Sequence, residues 1–186
     1  PARLGEGKFV ALMEKAGIGR PSTYASTLDT LIRRGYVRVR NLQIHTTPLG
    51  FVNVMYLYQQ LPLIVDARFT AQMEEDLDSV AQGNLKRDMY LDRVWKDRFV
   101  KLIAAAQTAP PRIRVPQLPG ATLDVQDGAV SLYYQGRKQV LPDDLLLEDL
   151  TPEAAERVLN QTWKREGKKS SRKTPTAGDR KPRKKK

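Results

Sequence analysis

The chain of 186 residues has no cysteine and a single histidine, His45. Without cysteine there is no disulfide framework, thiol nucleophile, iron–sulfur cluster or cysteine-ligated zinc. One histidine also argues against a His-built metal site or a Ser–His hydrolase. Aromatic residues are few, at 7%. No apolar run approaches the ~18 residues needed to span a bilayer, and no signal-peptide pattern opens the chain. The first residues, Pro1-Ala2-Arg3-Leu4, include no Met and point to a piece of a longer protein. Hydrophobic residues make up 40%, enough for one or two small domains with a buried core over most of the length.

What the chain has in excess is positive charge. It carries 32 Lys and Arg against 21 Asp and Glu, a net of +11, with a pI near 9.9. The distribution says more than the total. Residues 163–186 hold 12 basic and 2 acidic side chains, so the preceding 162 residues carry only +1. Within those, residues 1–47 carry +5, residues 48–107 carry −1 and residues 108–162 carry −3. A polyanion is the expected partner. Nucleic acid fits better than a membrane, because no basic amphipathic helix with a large apolar face accompanies the tail.

Helical spacing of Phe9, Leu12, Met13 and Ala16 ends at Gly17 and Gly19. Arg20-Pro21-Ser22-Thr23-Tyr24 reads as a second helix start, continued by Leu28, Leu31 and Ile32 up to Gly35. Two alternating runs, 36–40 and 42–46, flank Asn41 as a hairpin, and Thr47-Pro48 opens a third helix bearing Phe51, Val54, Met55 and Tyr58. Helix, helix, hairpin, helix is a winged-helix-like order. Thr70 is placed to cap a helix reaching Gln82, a longer helix is expected over 84–107, and Pro110-Pro111 marks a boundary. Beyond it, short strands near 121–125, 129–134 and 137–141 and a helix over 152–159 form a small α+β module, too short for a large core of its own. The expected fold is mainly α with a small β component. It divides into a helical region 1–109, a module 110–162 and a disordered basic tail 163–186.

The most informative run is Gly17-Ile18-Gly19-Arg20-Pro21-Ser22-Thr23-Tyr24-Ala25-Ser26. It sets a glycine-bent loop, an arginine and two hydroxyls at a helix N-terminus, where free N–H groups and the helix dipole attract anions. On these residues alone, an ordinary helix cap and a phosphate site both stay open. Together with Thr30-Leu31-Ile32-Arg33-Arg34-Gly35-Tyr36-Val37, Thr47-Pro48-Leu49-Gly50, the run from Phe69 to Asp78 and Ala81-Gln82-Gly83, it closely resembles the bacterial type IA DNA topoisomerases over about residues 1–107. The resemblance implies a mainly helical region lining the groove for the single strand to be cut, with Arg20, Ser22, Thr23 and Arg34 at strand phosphates. It further implies a parent enzyme that cuts one strand through a transient 5′-phosphotyrosine, passes another through the break and relaxes negative supercoils with magnesium and without ATP.

Two catalytic readings fail on the residues. The family's nucleophilic tyrosine lies in a Pro-Arg-Thr-Asp-like context that is absent here, and Tyr24 falls on the apolar stripe with Leu28 and Leu31. Asp76-x-Asp78 is similar to the family's paired magnesium-binding acids but sits within an amphipathic helix, where a solvated acidic face is the expectation. No catalytic residue and no metal ligand is therefore assigned, and magnesium belongs to the parent enzyme outside these residues. His45 is expected to be a surface or hairpin-packing residue without a partner. Arg38 and Arg40 share one strand face, open either to phosphate or to solvent.

The 110–162 module resembles, more weakly, the C-terminal repeats of topoisomerases that lack zinc ribbons. The resemblance lies in Tyr134-Gln135-Gly136-Arg137, Val140-Leu141-Pro142 and Asp149-Leu150-Thr151-Pro152-Glu153-Ala154-Ala155. No zinc is expected. Tyr133 and Tyr134 could stack on bases, though the local charge is unfavourable. The basic tail is suited to duplex contacts without sequence preference. The expectation is thus a C-terminal piece of a type IA topoisomerase, monomeric, on DNA in the cytoplasm. The rival is a freestanding winged-helix chromosomal or regulatory protein with a basic tail.

Overall fold

A computed structural model describes residues 3–105 and 112–160. The expected boundary at Pro110-Pro111 and the tail from 163 onward lie outside the described residues. The architecture is mainly helical with a small β component, as the sequence pattern predicts. Helix α1 (Glu6–Lys15) and helix α2 (Tyr24–Arg33) precede a hairpin of β1 (Val37–Arg40) and β2 (Gln43–Thr46). Helix α3 (Pro48–Gln60) follows, then α4 (Ala67–Ala81) and α5 (Arg87–Val94). The long helix expected over 84–107 is interrupted. After α5 the chain widens into a π-helical stretch, Trp95–Phe99, before α6 (Val100–Ala105). Helix α4 also starts earlier than Thr70: the Asp66 side chain accepts from the Arg68 amide at 2.9 Å and is its cap. Among the described residues no helix is long and apolar enough to cross a membrane.

The second half is a four-stranded antiparallel sheet in the order β3 (Ile113–Arg114), β4 (Thr122–Gln126), β5 (Ala129–Tyr134), β6 (Arg137–Val140), closed by α7 (Pro152–Asn160). β3 is too short to show as a pattern in sequence. The hairpins at Asp127-Gly128 and Gln135-Gly136 each turn on two residues with φ between 51° and 75°. Such paired left-handed residues match the twist of the strands they join. The β1–β2 turn has the same geometry at Asn41 (φ 53°) and Leu42 (φ 60°), so a leucine occupies a conformation costly for its Cβ.

The core does not stop at the expected boundary. Ile113, Leu118, Leu123, Leu132 and Leu150 are almost fully buried, and Val52 of α3 belongs to the same cluster. Leu49, Phe51 and Met55, also on α3, pack at its edge. The small module thus completes its interior with a helix from the first half, which answers its shortage of apolar residues.

Thr47-Pro48-Leu49-Gly50 explains how α3 is held. Thr47 is 2% exposed, and its hydroxyl donates to the Gly35 carbonyl at 2.6 Å and accepts from the Gly50 amide at 3.0 Å. Pro48 fills the first helical position, where an N–H is not needed. Gly50 lies so close to the chain entering β1 that a Cβ there would be 2.0 Å from the Tyr36 carbonyl oxygen.

Candidate nucleic-acid interface

The glycine-rich loop between α1 and α2 is bent by Gly17 (φ 67°) and Gly19 (φ 74°). Thr23 then knits it: its Oγ1 accepts from the Arg20 amide and donates to the Arg20 carbonyl, both at 2.9 Å. Helix α2 begins one residue later, and its first bond runs from the Thr27 amide to the Thr23 carbonyl at 2.9 Å. The amides of Ala25 and Ser26 in the first turn therefore have no carbonyl behind them. Ser22 and Thr23 are exposed beside them, and Tyr24 is half-buried. This is a helix N-terminus with donors facing outward and the positive end of its dipole uncovered.

Arg20 lies at that terminus but is not free. Its guanidinium donates to the Gly19 carbonyl at 2.9 Å and to Asp78 at 2.6 Å, with Glu74 at 3.6 Å. The hydrogen bond it donates to Asp78 is the main reason that Arg20 holds its proton more tightly than an isolated arginine. Both acids come from α4, where Ala71, Glu74 and Asp78 follow helical spacing on one face. Ala71 is the residue that a Cβ on Gly17 would meet at 3.2 Å. Two separate runs of sequence, the glycine-arginine loop and the stretch from Phe69 to Asp78, thus form one site.

This corrects the expectation of a purely solvated acidic face on α4. Asp78 binds Arg20, and Asp76 binds Arg93 of α5 at 3.0 Å. The two carboxylates therefore answer different arginines. Among the described residues no three His, Cys, Asp or Glu side chains gather where a metal could be held.

Arg34 caps the far end of α2, exposed, with no side-chain partner among the described residues. The ten residues of α2 put it about 15 Å from the helix start. Arg38 and Arg40 take a different course. Arg38 donates to the Asp143 carbonyl at 2.9 Å, and Arg40 bridges Glu148 at 2.8 Å and Asp149 at 3.0 Å. Both reach across to the C-terminal module.

His45 was expected to lack a partner, and the structure overturns this. It is buried, with Nδ1 2.7 Å from Glu148 Oε1 and Nε2 3.2 Å from the Arg40 carbonyl. Arg3 also pairs with Glu148. That carboxylate is the centre of a clamp between hairpin and module, made by residues about a hundred positions apart, which no local pattern reveals. In the module itself, Tyr133 has Arg112 over its ring at 3.7 Å and Lys138 at 5.0 Å, while its hydroxyl donates to Asp124. Its ring already has cationic neighbours.

The sequence and the fold both have counterparts among known proteins. A family model described as DNA topoisomerase matches residues 1–92. DNA topoisomerase 1 of Aquifex aeolicus is 47% identical over 85 residues, covering 46% of this chain and 16% of that protein. DNA topoisomerase 1 of Synechococcus elongatus is 33% identical over 172 residues, covering 87% of this chain and 19% of the relative. Full-length topoisomerase I from Thermotoga maritima superimposes with a TM-score of 0.63 at 30% identity, over 78% of this chain and 26% of that one. The chain belongs to the bacterial type IA DNA topoisomerases. Within that family, the relatives it matches are the enzymes called topoisomerase I, and it spans less than a fifth of the length of these curated relatives.

Proposed function

We propose that the chain is the part of a topoisomerase that binds and aligns the single strand for cleavage, with the start of α2 as its phosphate site. The observation that carries this reading is the grouping of Arg20, the exposed Ser22 and the unpaired amides of Ala25 and Ser26 at one helix end, with Thr23 knitting the loop that sets them there. Arg34, exposed at the other end, is suited to a second phosphate of the same strand. Arg38 and Arg40 are the weaker members of the set, because the module already occupies them.

In this reading the chain contributes no bond chemistry. The nucleophilic tyrosine and the magnesium-binding acids belong to other parts of the parent enzyme, which relaxes negatively supercoiled DNA without ATP. Holding the scissile phosphate in register lowers the barrier by orientation. The tail, with 12 basic residues in 24, adds duplex affinity through counterion release. The parent acts on DNA in the cytoplasm as a monomer.

The test is titration of single- and double-stranded oligonucleotides across 50–200 mM salt, a range in which phosphate contacts are clearly visible. Arg20→Ala and Arg34→Ala should each weaken single-strand binding while thermal unfolding stays near wild type. Removing residues 164–186 should flatten the salt dependence. Tight, sequence-selective duplex binding would overturn the proposal in favour of a winged-helix regulator.

A further inference from the structure

Arg20 faces two demands. Its backbone leads into the start of α2, where a phosphate would bind, yet Asp78 and Glu74 already hold its guanidinium. One cation between two carboxylates leaves the cluster at a formal net charge of −1. A phosphate added to it would meet repulsion from both acids, so the cluster as it stands is closed to an anion. The two acids are not equally fixed. Glu74 is 25% exposed and 3.6 Å away, whereas Asp78 is 58% exposed and accepts the short bond of 2.6 Å. Exposed ion pairs of this kind are weak, because water and salt replace them at little cost. The Gly19 carbonyl, on the other terminal nitrogen at 2.9 Å, keeps the arginine at the helix start when Asp78 leaves.

We propose that Asp78 is a specificity-determining residue of the strand site, an internal competitor that a DNA phosphate must displace from Arg20. The proposal rests on the strand-binding reading of the α2 terminus. A lone phosphate gains one arginine contact for the one it breaks. A continuous strand also reaches the Ala25 and Ser26 amides, the Ser22 hydroxyl and, a helix length away, Arg34. Asp78 therefore sets a threshold that an extended strand passes and an isolated anion does not. It also ties strand entry to α4, since displacement removes one of the links between that helix and the loop while the packing of Gly17 on Ala71 stays in place.

The experiment is a double-mutant cycle on the whole chain: wild type, Asp78→Asn, Arg20→Ala and the double variant, titrated with a labelled single-stranded oligonucleotide at fixed ionic strength. Asp78→Asn should tighten binding about threefold, the scale expected for an exposed ion pair. In the Arg20→Ala background the same change should do nothing. Inorganic phosphate, at matched ionic strength, should compete with the strand more effectively in Asp78→Asn than in wild type. A gain that persists without Arg20 would show a general field effect and overturn the proposal. Weaker binding in Asp78→Asn would overturn it too, since the carboxylate would then be orienting Arg20. If Arg20→Ala weakens binding while Asp78→Asn changes nothing, the competitor role alone fails. If Arg20→Ala binds as wild type does, the strand-site reading fails and takes the competitor role with it.

Discussion

Gly50 and Gly7 both lie in α-helices, yet alanine should act in opposite directions at the two sites. At Gly50 the added Cβ would sit 2.0 Å from the Tyr36 carbonyl oxygen, with the Tyr36 carbonyl carbon at 2.9 Å. An ordinary contact is roughly 3.5 Å, so α3 must retreat by more than about 1 Å. The obstacle is backbone and cannot rotate away. Retreat stretches the 2.6 Å bond from Thr47 to the Gly35 carbonyl and the 3.2 Å bond from the Thr47 amide to the Tyr36 carbonyl. It also draws Val52, 4% exposed, away from the sheet. Forcing an extra carbon into such packing costs about 1–3 kcal/mol. Straining buried hydrogen bonds adds about 1–3 kcal/mol. The better helix propensity of alanine returns about 0.5–1 kcal/mol. The net is a loss of about 1–5 kcal/mol, a fall in Tm of about 2–20 °C for a chain of this size. At Gly7 nothing lies within 4 Å of the added carbon, so Gly7→Ala keeps only the propensity gain of about 0.5–1 kcal/mol. Urea unfolding of both variants beside wild type measures the contrast. A Gly50→Ala chain as stable as wild type would refute the claim that α3 is seated by this close approach.

Three further changes probe other parts of the fold. Leu42 has φ 60° and is 86% exposed, so Leu42→Gly should remove strain without losing buried area and raise stability by about 1 kcal/mol; a lower urea midpoint would contradict this. Glu148→Gln removes the charge that Arg3, Arg40 and His45 share at a position 24% exposed, and should cost about 1–3 kcal/mol, with faster amide exchange in β2 and around residues 147–149. Asp66 is held below its usual 3.8 chiefly by the Arg68 side chain and then by the Arg68 amide. A depressed carboxylate stabilises above its unfolded value and loses that contribution as pH falls through the folded one. The stability difference between wild type and Asp66→Ala should therefore be flat above about pH 4 and shrink in stronger acid, and a difference that grows below pH 4 would reverse the sign of the argument.

The parts of the fold legible in sequence are those written in neighbouring residues. Periodicity and glycine stops locate α1 and α2, Asn41 marks the hairpin, and Asp127-Gly128 and Gln135-Gly136 mark the turns of the sheet. Thr70 has the chemistry of a cap, but it is Asp66 that lies where the backbone is extended and whose carboxylate meets a free amide. The site was half legible. The anion-binding character of the α2 start is contained in ten consecutive residues. That Asp78 would hold Arg20 is not, because the two are 58 positions apart and meet only after α4 packs on the loop. The same holds for His45 and Glu148, 103 positions apart. A possible signal was present in the acids of the Phe69–Asp78 run, spaced to share a face with Ala71, but spacing does not say what lies opposite.

The shared interior has a consequence for how such chains exchange parts. The family match ends at residue 92, while the buried cluster joins Val52 to residues as far along as Ala155. A different tail module grafted after α6 would inherit a surface of Leu49, Phe51, Val52 and Met55 cut to fit another sheet. The C-terminal module here is therefore not exchangeable in the way a linker-joined domain is. A lineage that trades one for another must rewrite the outward side of α3 in the same step, without disturbing Thr47 and Gly50 on the side that seats it.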